Sequence, residues 1–502
     1  MASEQFDLIA VGGGPAGSTV STFVAMQGHK VLLLEREKFP RYQIGESLLP
    51  ATVHGICVML GVTEQLKEAR FTIKRGGTFR WGTGADPWTF AFASPTIPSP
   101  TGYAYQVERS KFDSILLDNA RSKGVEVREG YSVKDLLRRE DGRVIGIIAS
   151  GPDGRDLALK GEFVVDASGN TSRLHGMVGE RVYSKFFKNL ALFCYYKNGK
   201  RLPPPNSGNI LCAAFEGGWF WYIPLSRELT SVGAVVSHEY DHRLNGGYEA
   251  AMQTFIDSCP LINEYLKSAT RVTEGEYGRI RVRKDYSYTN TRFWVPGIAL
   301  VGDAACFVDP VFSSGVHLAT YSALLAARSI NTILRGDLEE HSCFREFEWR
   351  YRREYANFYE FLMSFYDMHQ DTESYFWSAR KVLNTGEKAN DAFIRLVAGV
   401  GSSGEPLYES AEAFFRQTTG AGDRFQEFAD KGISPTSASN SFNEEIIQIQ
   451  TQASLGERRA AERPMFDGGL IPTTDGFHWR RPSIARVEQP VPPLSRTAAT
   501  LE

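Results

Sequence analysis

Residues 6–36 read FDLIAVGGGPAGSTVSTFVAMQGHKVLLLER, and the rest of the chain is organised around them. Leu8, Ile9, Ala10 and Val11 make a short apolar run that stops at glycine, and Gly12, Gly14 and Gly17 fall in the spacing G-x-G-x-x-G. A helical segment carrying Ala16 follows to about Gln27, Gly28 ends it, and a second apolar run from Val31 to Leu34 closes on Glu35. Strand, glycine turn, helix, strand and acid in that order describe a dinucleotide-binding unit. The glycines let the backbone turn tightly and approach a pyrophosphate, while the helix start offers free N–H groups and the positive end of its dipole. Glu35 is placed to accept hydrogen bonds from a ribose hydroxyl pair.

Composition bounds what can surround this unit. A chain of 502 residues, 42% hydrophobic and 23% charged, is an ordinary globular protein too long for one simple core. Its 56 basic and 59 acidic residues leave a net charge of -3, which argues for neither nucleic acid nor an anionic membrane as a partner. No apolar run approaches spanning length, and the first residues carry Glu4 and Asp7 in place of a basic leader, so the cytoplasm is the expected location. The six cysteines and nine histidines are scattered without metal-ligand spacing; buried thiols and no metal are expected.

Along the chain, Gly45-Glu46-Ser47 reads either as a capped helix start at Ser47 or as a loop folding back beside a cofactor. Lys74 precedes a glycine pair and a strand from Thr78 to Trp81; by pattern alone it is a solvated loop lysine. Arg109 opens a helix near Ser110 and is a surface charge unless a ligand lies there. The run from Glu162 to Gly169 is a buried strand closing on Asp166 and resembles the D-A-x-G segment of flavin monooxygenases. From about 181 to 273, aromatic and β-branched strands alternate with turns, as in an antiparallel sheet. A last buried strand, 298–301, ends in Gly302-Asp303, at a strand's carboxyl end where open α/β sheets bind ligands. A helix from about 316 to 334 follows, then a helical, very aromatic segment from 339 to 370. A second G-x-G-x-x-G at Gly399, Gly401 and Gly404 lacks a following strand and acid and reads as a loop.

Trp219-Phe220-Trp221-Tyr222-Ile223-Pro224 matches W-x-W-x-I-P. With the G-E-S segment, Lys74 and the three nucleotide-binding elements in this order, the chain resembles the flavin-dependent halogenases over roughly residues 1–400, and within them the branch acting on carrier-tethered phenolic groups (chondrochloren and enediyne type). The resemblance implies a fold, α/β and FAD monooxygenase-like, with a core at 1–335, a helical region at 336–420 and an irregular, partly disordered tail at 421–502. It implies FAD, used as FADH2 from a separate reductase, held by Gly12, Gly14, Ala16, Gly17, Glu35, Ser47, Arg109, Asp166, Gly302, Asp303 and Pro310. Chloride is expected at the backbone of Ser314 and Gly315, and Lys74 is implied as the catalytic residue that handles hypochlorous acid or a chloramine. Trp219, Trp221 and Pro224 would separate flavin from substrate.

Phe312-Ser313-Ser314 carries no carboxylate where tryptophan-halogenating relatives have a glutamate, and a phenol activates its own ring, so a phenolic substrate is expected. The excess of aromatics at 344–366 is expected to offer a face to an acyl or peptidyl carrier protein. A flavoprotein hydroxylase is the enzymatic alternative, against which the tryptophan strand argues. A non-catalytic flavin-binding protein is the other alternative, and it has no reason to keep Lys74.

Overall fold

The structure is a computed structural model describing residues 4–80, 87–92, 102–284, 286–368, 464, 466 and 468–482. At the centre of its first sheet lie four parallel strands that are apolar and buried toward their carboxyl ends. The Gln5–Val11 strand lies between Val31–Glu35 and Asp156–Asp166, and the last of these pairs with Ile298–Leu300. Their register decides where a ligand can sit. Val11 pairs with both Leu34 and Asp166, and Asp166 pairs with Leu300. All four strands therefore end at one level, and Gly12, Glu35, Ala167 and Asp303 emerge together at the carboxyl edge. The Pro15–Ala25 helix starts there, with proline in its first turn. The fold is the α/β, Rossmann-like arrangement expected.

The second sheet holds the tryptophan motif. Asn189–Lys197, Leu229–Ser237, Gly218–Pro224 and Ile210–Phe215 run antiparallel in that order; Gly76–Arg80 then adds in parallel and Trp88–Ala91 completes the edge. Side chains alternate between two cores. Ala191, Phe193, Tyr195, Trp219 and Trp221 face the main core, whereas Leu192, Cys194, Phe220 and Tyr222 pack with Met252 and Phe255 of the Tyr248–Asp257 helix. Both faces are covered, which is why these strands read as unbroken apolar runs.

Two local expectations change on folding. Residues 46–48 are extended and not a helix start: Leu48 N–H donates to the Tyr105 carbonyl and Val107 N–H to that of Glu46, and Ser47 bridges Gln106. The helix begins only after Pro50, as a π-helical turn over Ala51–Ile56. Lys74 ends a short strand, Thr72–Lys74, paired with Ala104–Gln106, and is buried.

The Glu340–Met368 helix draws its described aromatics inward: Phe344, Phe347, Trp349, Tyr351, Tyr355, Phe358 and Tyr359 are all core residues. They pack on the sheet and on the Ser314–Leu334 helix, so they form no partner-facing surface. Near the C-terminus, the chain around Trp479–Arg480 pairs with Ile471–Pro472 as a hairpin, where an irregular tail was expected. Trp479 is buried; its indole donates to Ser329 at 3.0 Å and its backbone N–H to Thr332 at 2.8 Å, which fastens the hairpin to the Ser314–Leu334 helix. The second glycine motif, Gly399 to Gly404, lies outside the described residues.

Among the described residues no helix is long and apolar enough to cross a membrane, and no cluster of His, Cys, Asp or Glu could hold a metal ion. All six cysteines are free and buried.

Candidate active site

A cavity of about 380 Å³ opens at the shared carboxyl edge. Of the expected cofactor residues, Gly12, Gly14, Ala16, Glu35, Arg109, Gly302, Asp303 and Pro310 line it, as do Gly315 and Trp221. The three motif glycines are needed for different reasons. A Cβ on Gly17 would fall 1.8 Å from the Gly12 carbonyl oxygen, and Gly12 itself has φ +104 and presses on Ala167. Both are dictated by the chain's own backbone. A Cβ on Gly14 would meet only an Arg41 nitrogen, at 3.3 Å, so what forbids a side chain there is whatever occupies the cavity. That is the cradle a dinucleotide requires, and the chain fits FAD.

Charged groups follow the same logic. Glu35 accepts the Gly13 N–H at 2.6 Å and the Glu37 N–H at 2.8 Å, so its carboxylate braces the glycine turn as well as bounding the cavity. Arg109 is held by Asp113 through two hydrogen bonds and donates to the Ile44 and Gly45 carbonyls, fixing the loop that forms one wall. Asp303 faces the cavity; burial pushes its carboxyl up to about 6, against the pull of Arg109, Arg181 and Arg283.

Three expected cofactor residues do not line the cavity: Gly17, packed on the Gly12 carbonyl, and Asp166 and Ser47. Asp166 spends its carboxylate on the Ser168 backbone and on the Ser168 and Ser172 hydroxyls, shaping the turn that carries Ala167 to the cavity. Ser47 is buried away from the cavity with its hydroxyl unpaired.

Lys74 lies outside the cavity wall, 2% exposed. Its Nζ donates to the Leu48 carbonyl at 3.0 Å and to the Ser313 hydroxyl at 3.2 Å, with the Phe92 ring 5.3 Å away. Among the described residues it has no carboxylate partner, and burial lowers its pKa to about 7. The strand ends hold it in place: Thr72 donates to the Leu225 carbonyl just past the tryptophan strand, and Arg75 N–H donates to Asn209.

Ser313 has φ 59, uncommon for a residue with a side chain, and precedes the Ser314–Leu334 helix. No side chain caps this helix, so its first-turn N–H groups have no side-chain acceptor at the cap. Gly315 lines the cavity; Ser314 sits just behind, its hydroxyl unpaired. Trp221 forms part of the cavity wall with Phe193, and its indole donates to Ser231 at 3.2 Å. Trp219 is fully buried, its ring 6.3 Å from that of Trp221, and Pro224 ends the strand. Gly233 is small for Trp221's sake: a Cβ there would fall 2.2 Å from the indole ring.

Sequence reasoning missed Leu48, Ser313 and Phe92 around the lysine, and Glu46 and Tyr195 behind the cavity. Nothing local marks them, because their partners are distant in sequence; only the pair Ser313-Ser314 before an apolar helical run was available as a signal.

A Rossmann-like fold whose glycine turn and carboxyl edge form a cavity that fits a dinucleotide, with a buried lysine outside its wall, defines a dinucleotide-binding protein. Comparison with known proteins identifies which. The chain belongs to the tryptophan halogenase family of flavin-dependent halogenases, matching it over residues 7–101 and 93–422.

It is 34% identical over 411 residues to a tryptophan 2-halogenase of Chondromyces crocatus, covering 79% of this chain and 76% of that one. It is 29% identical over 396 residues to a chlorinase of pyrrole-2-carbonyl on a peptidyl carrier protein in Pseudomonas fluorescens, covering 73% of this chain and 84% of that one. Among solved structures, the myxobacterial chondrochloren halogenase CndH superimposes with a TM-score of 0.76 at 56% identity, covering 95% of this chain and all of that one. The protein is thus a flavin-dependent halogenase, an enzyme using FAD and a halide.

Proposed function

We propose that this halogenase chlorinates a phenolic ring delivered on an acyl or peptidyl carrier protein, with Lys74 carrying the halogen. The observation that carries the reading is the lysine itself: buried, unpaired with any carboxylate among the described residues, its pKa lowered to about 7, and tied to the serine just before the Ser314–Leu334 helix. FADH2, supplied by a separate reductase and bound in the cavity, provides with dioxygen the oxidising power that turns chloride into hypochlorous acid. The N–H groups at Ser314 and Gly315 hold chloride without a base that would compete for it. Trp221 and Phe193 wall the cavity, so an oxidant leaves toward the helix start and the lysine. There the neutral amine takes chlorine from hypochlorous acid, releasing water and forming the N–Cl bond. The electron-rich ring then takes the chlorine, and its displaced proton leaves with the regenerated amine.

A phenol suits this site because the described surroundings of Lys74 offer no carboxylate to assist a less activated ring. Delivery on a carrier is supported by the relative that acts on a carrier-bound pyrrole. The test is product mass from FADH2, dioxygen and phenolic acids, free and carrier-loaded, with and without chloride. Chloride-dependent gain of chlorine on the loaded acid is expected. Oxygen insertion, or preference for the free acid, overturns the corresponding part.

A further inference from the structure

Glu46 is a buried carboxyl that the lysine chemistry leaves unused. It follows Gly45, which lines the cavity, and lies two residues before Leu48, whose carbonyl holds Lys74. The Tyr195 hydroxyl donates to Glu46 Oε1 at 2.7 Å and lies 2.7 Å from the Tyr42 hydroxyl. Tyr42 lines the cavity. Two hydrogen bonds therefore connect a carboxyl sealed from water to the space that fits the cofactor. The geometry is held from several sides. Tyr195 shares a strand face with Ala191 and Phe193, both of which line the cavity. The Tyr42 ring lies 3.6 Å from the Arg281 guanidinium and meets Tyr277 edge-on at 6.2 Å.

Making hypohalous acid consumes a proton: FADH2, dioxygen, a halide ion and one proton give FAD, hypohalous acid and water. We propose that Glu46, Tyr195 and Tyr42 form a relay that delivers this proton to the cavity. The proposal rests on the halogenase reading of the site and holds for any halide. With Glu46 ionised the Tyr195 hydroxyl donates to its Oε1; once Oε1 is protonated the direction reverses, so that Glu46 gives its proton to Tyr195, Tyr195 passes one to Tyr42, and Tyr42 releases one into the cavity. The chain reloads in reverse when the cavity exchanges with water. Glu46 acts through the tyrosines and positions a proton without touching the reacting atoms.

Burial pushes its carboxyl up to about 7, while Tyr195, Ser231 and Arg109 favour the charged form and Glu108 opposes it. Tyr42, Tyr195 and Tyr277 also face Glu46; burial first, then nearby negative charge, raises all three hydroxyls, so they pass protons without ionising. The relay is loaded below pH 7 and empties above it.

The test has two readouts. Infrared titration of the apoprotein should show a protonated-carboxyl band that fades as pH rises through about 7. The band should be absent from E46Q and shifted in the isosteric Y195F. In the reconstituted enzyme the need for a neutral Lys74 amine gives the rate its acid limb and Glu46 its alkaline limb, both near pH 7; E46Q and Y195F should halogenate at least ~10-fold more slowly at pH 7 and lose the alkaline limb. A wild-type spectrum without that band, or an E46Q or Y195F variant with the wild-type rate and profile, overturns the relay. If the wild type itself forms no halogenated product, the halogenase reading fails and takes the relay with it. The two failures are thus distinct.

Discussion

Replacing Lys74 with methionine should remove a cost that the fold carries to keep an amine dry. Burial holds the Lys74 amine at about 7 against an ordinary 10.5. Between those values the unfolded chain holds a proton that the folded chain has released. Wild-type stability therefore rises with pH across the window, by about 1.4 kcal/mol per pH unit from this site. Between pH 7 and pH 10 the contribution is on the order of 4 kcal/mol; below pH 7 it levels off, because both states are protonated.

Lys74→Met has no such slope. It loses hydrogen bonds to Leu48 and Ser313, but that shifts the whole curve without tilting it. The assay is urea unfolding of both apoproteins at pH 7, 8 and 9. The stability of the variant relative to wild type should increase steadily as pH falls, while its halogenating activity disappears. Parallel stability curves would refute the claim that Lys74 is held neutral by burial, and the nucleophile argument would lose its basis.

The glycine turn gives a contrasting pair. Gly14→Val should fold with near wild-type stability yet remain colourless with FAD, because its side chain points into the cavity; Gly17→Ala should fail to fold, because its Cβ would sit 1.8 Å from the Gly12 oxygen. A yellow, fully loaded Gly14→Val protein contradicts the cavity assignment. Trp479→Ala should destabilise the apoprotein by about 3–5 kcal/mol in chemical denaturation, since Trp479 is buried and anchors the C-terminal hairpin by two hydrogen bonds. A change under about 1 kcal/mol would mean the hairpin is dispensable.

The legible parts of this protein are those written in local pattern. Residues 6–36 specify strand, turn, helix and strand because periodicity and glycine spacing act over a few residues, and the Asp166 and Asp303 segments declare themselves as apolar runs ending at an acid. The tryptophan strand was legible for the same reason. What the sequence hid depends on contacts between distant segments. Lys74 looks like a solvated loop lysine until the Ala104–Gln106 strand and Leu48 enclose it. Ser47 looks like a helix cap until the same 104–107 segment pulls 46–48 into extended pairing. The aromatics of the Glu340–Met368 helix look excessive for one face, but that helix is packed so fully that the described ones are all buried. Trp479 lies in a stretch whose composition resembles a tail, and only its fit against Ser329 and Thr332 makes it core.

The central claim is that Lys74 carries the halogen from the cavity to the substrate. The most direct measurement compares wild type with Lys74→Ala, each given FADH2, dioxygen, chloride, the phenolic substrate and a soluble diketone trap for free hypochlorous acid. The account predicts that Lys74→Ala binds FAD normally and chlorinates the trap while the substrate stays unchlorinated, whereas wild type chlorinates the substrate. Substrate chlorination by Lys74→Ala at a rate comparable to wild type would contradict it.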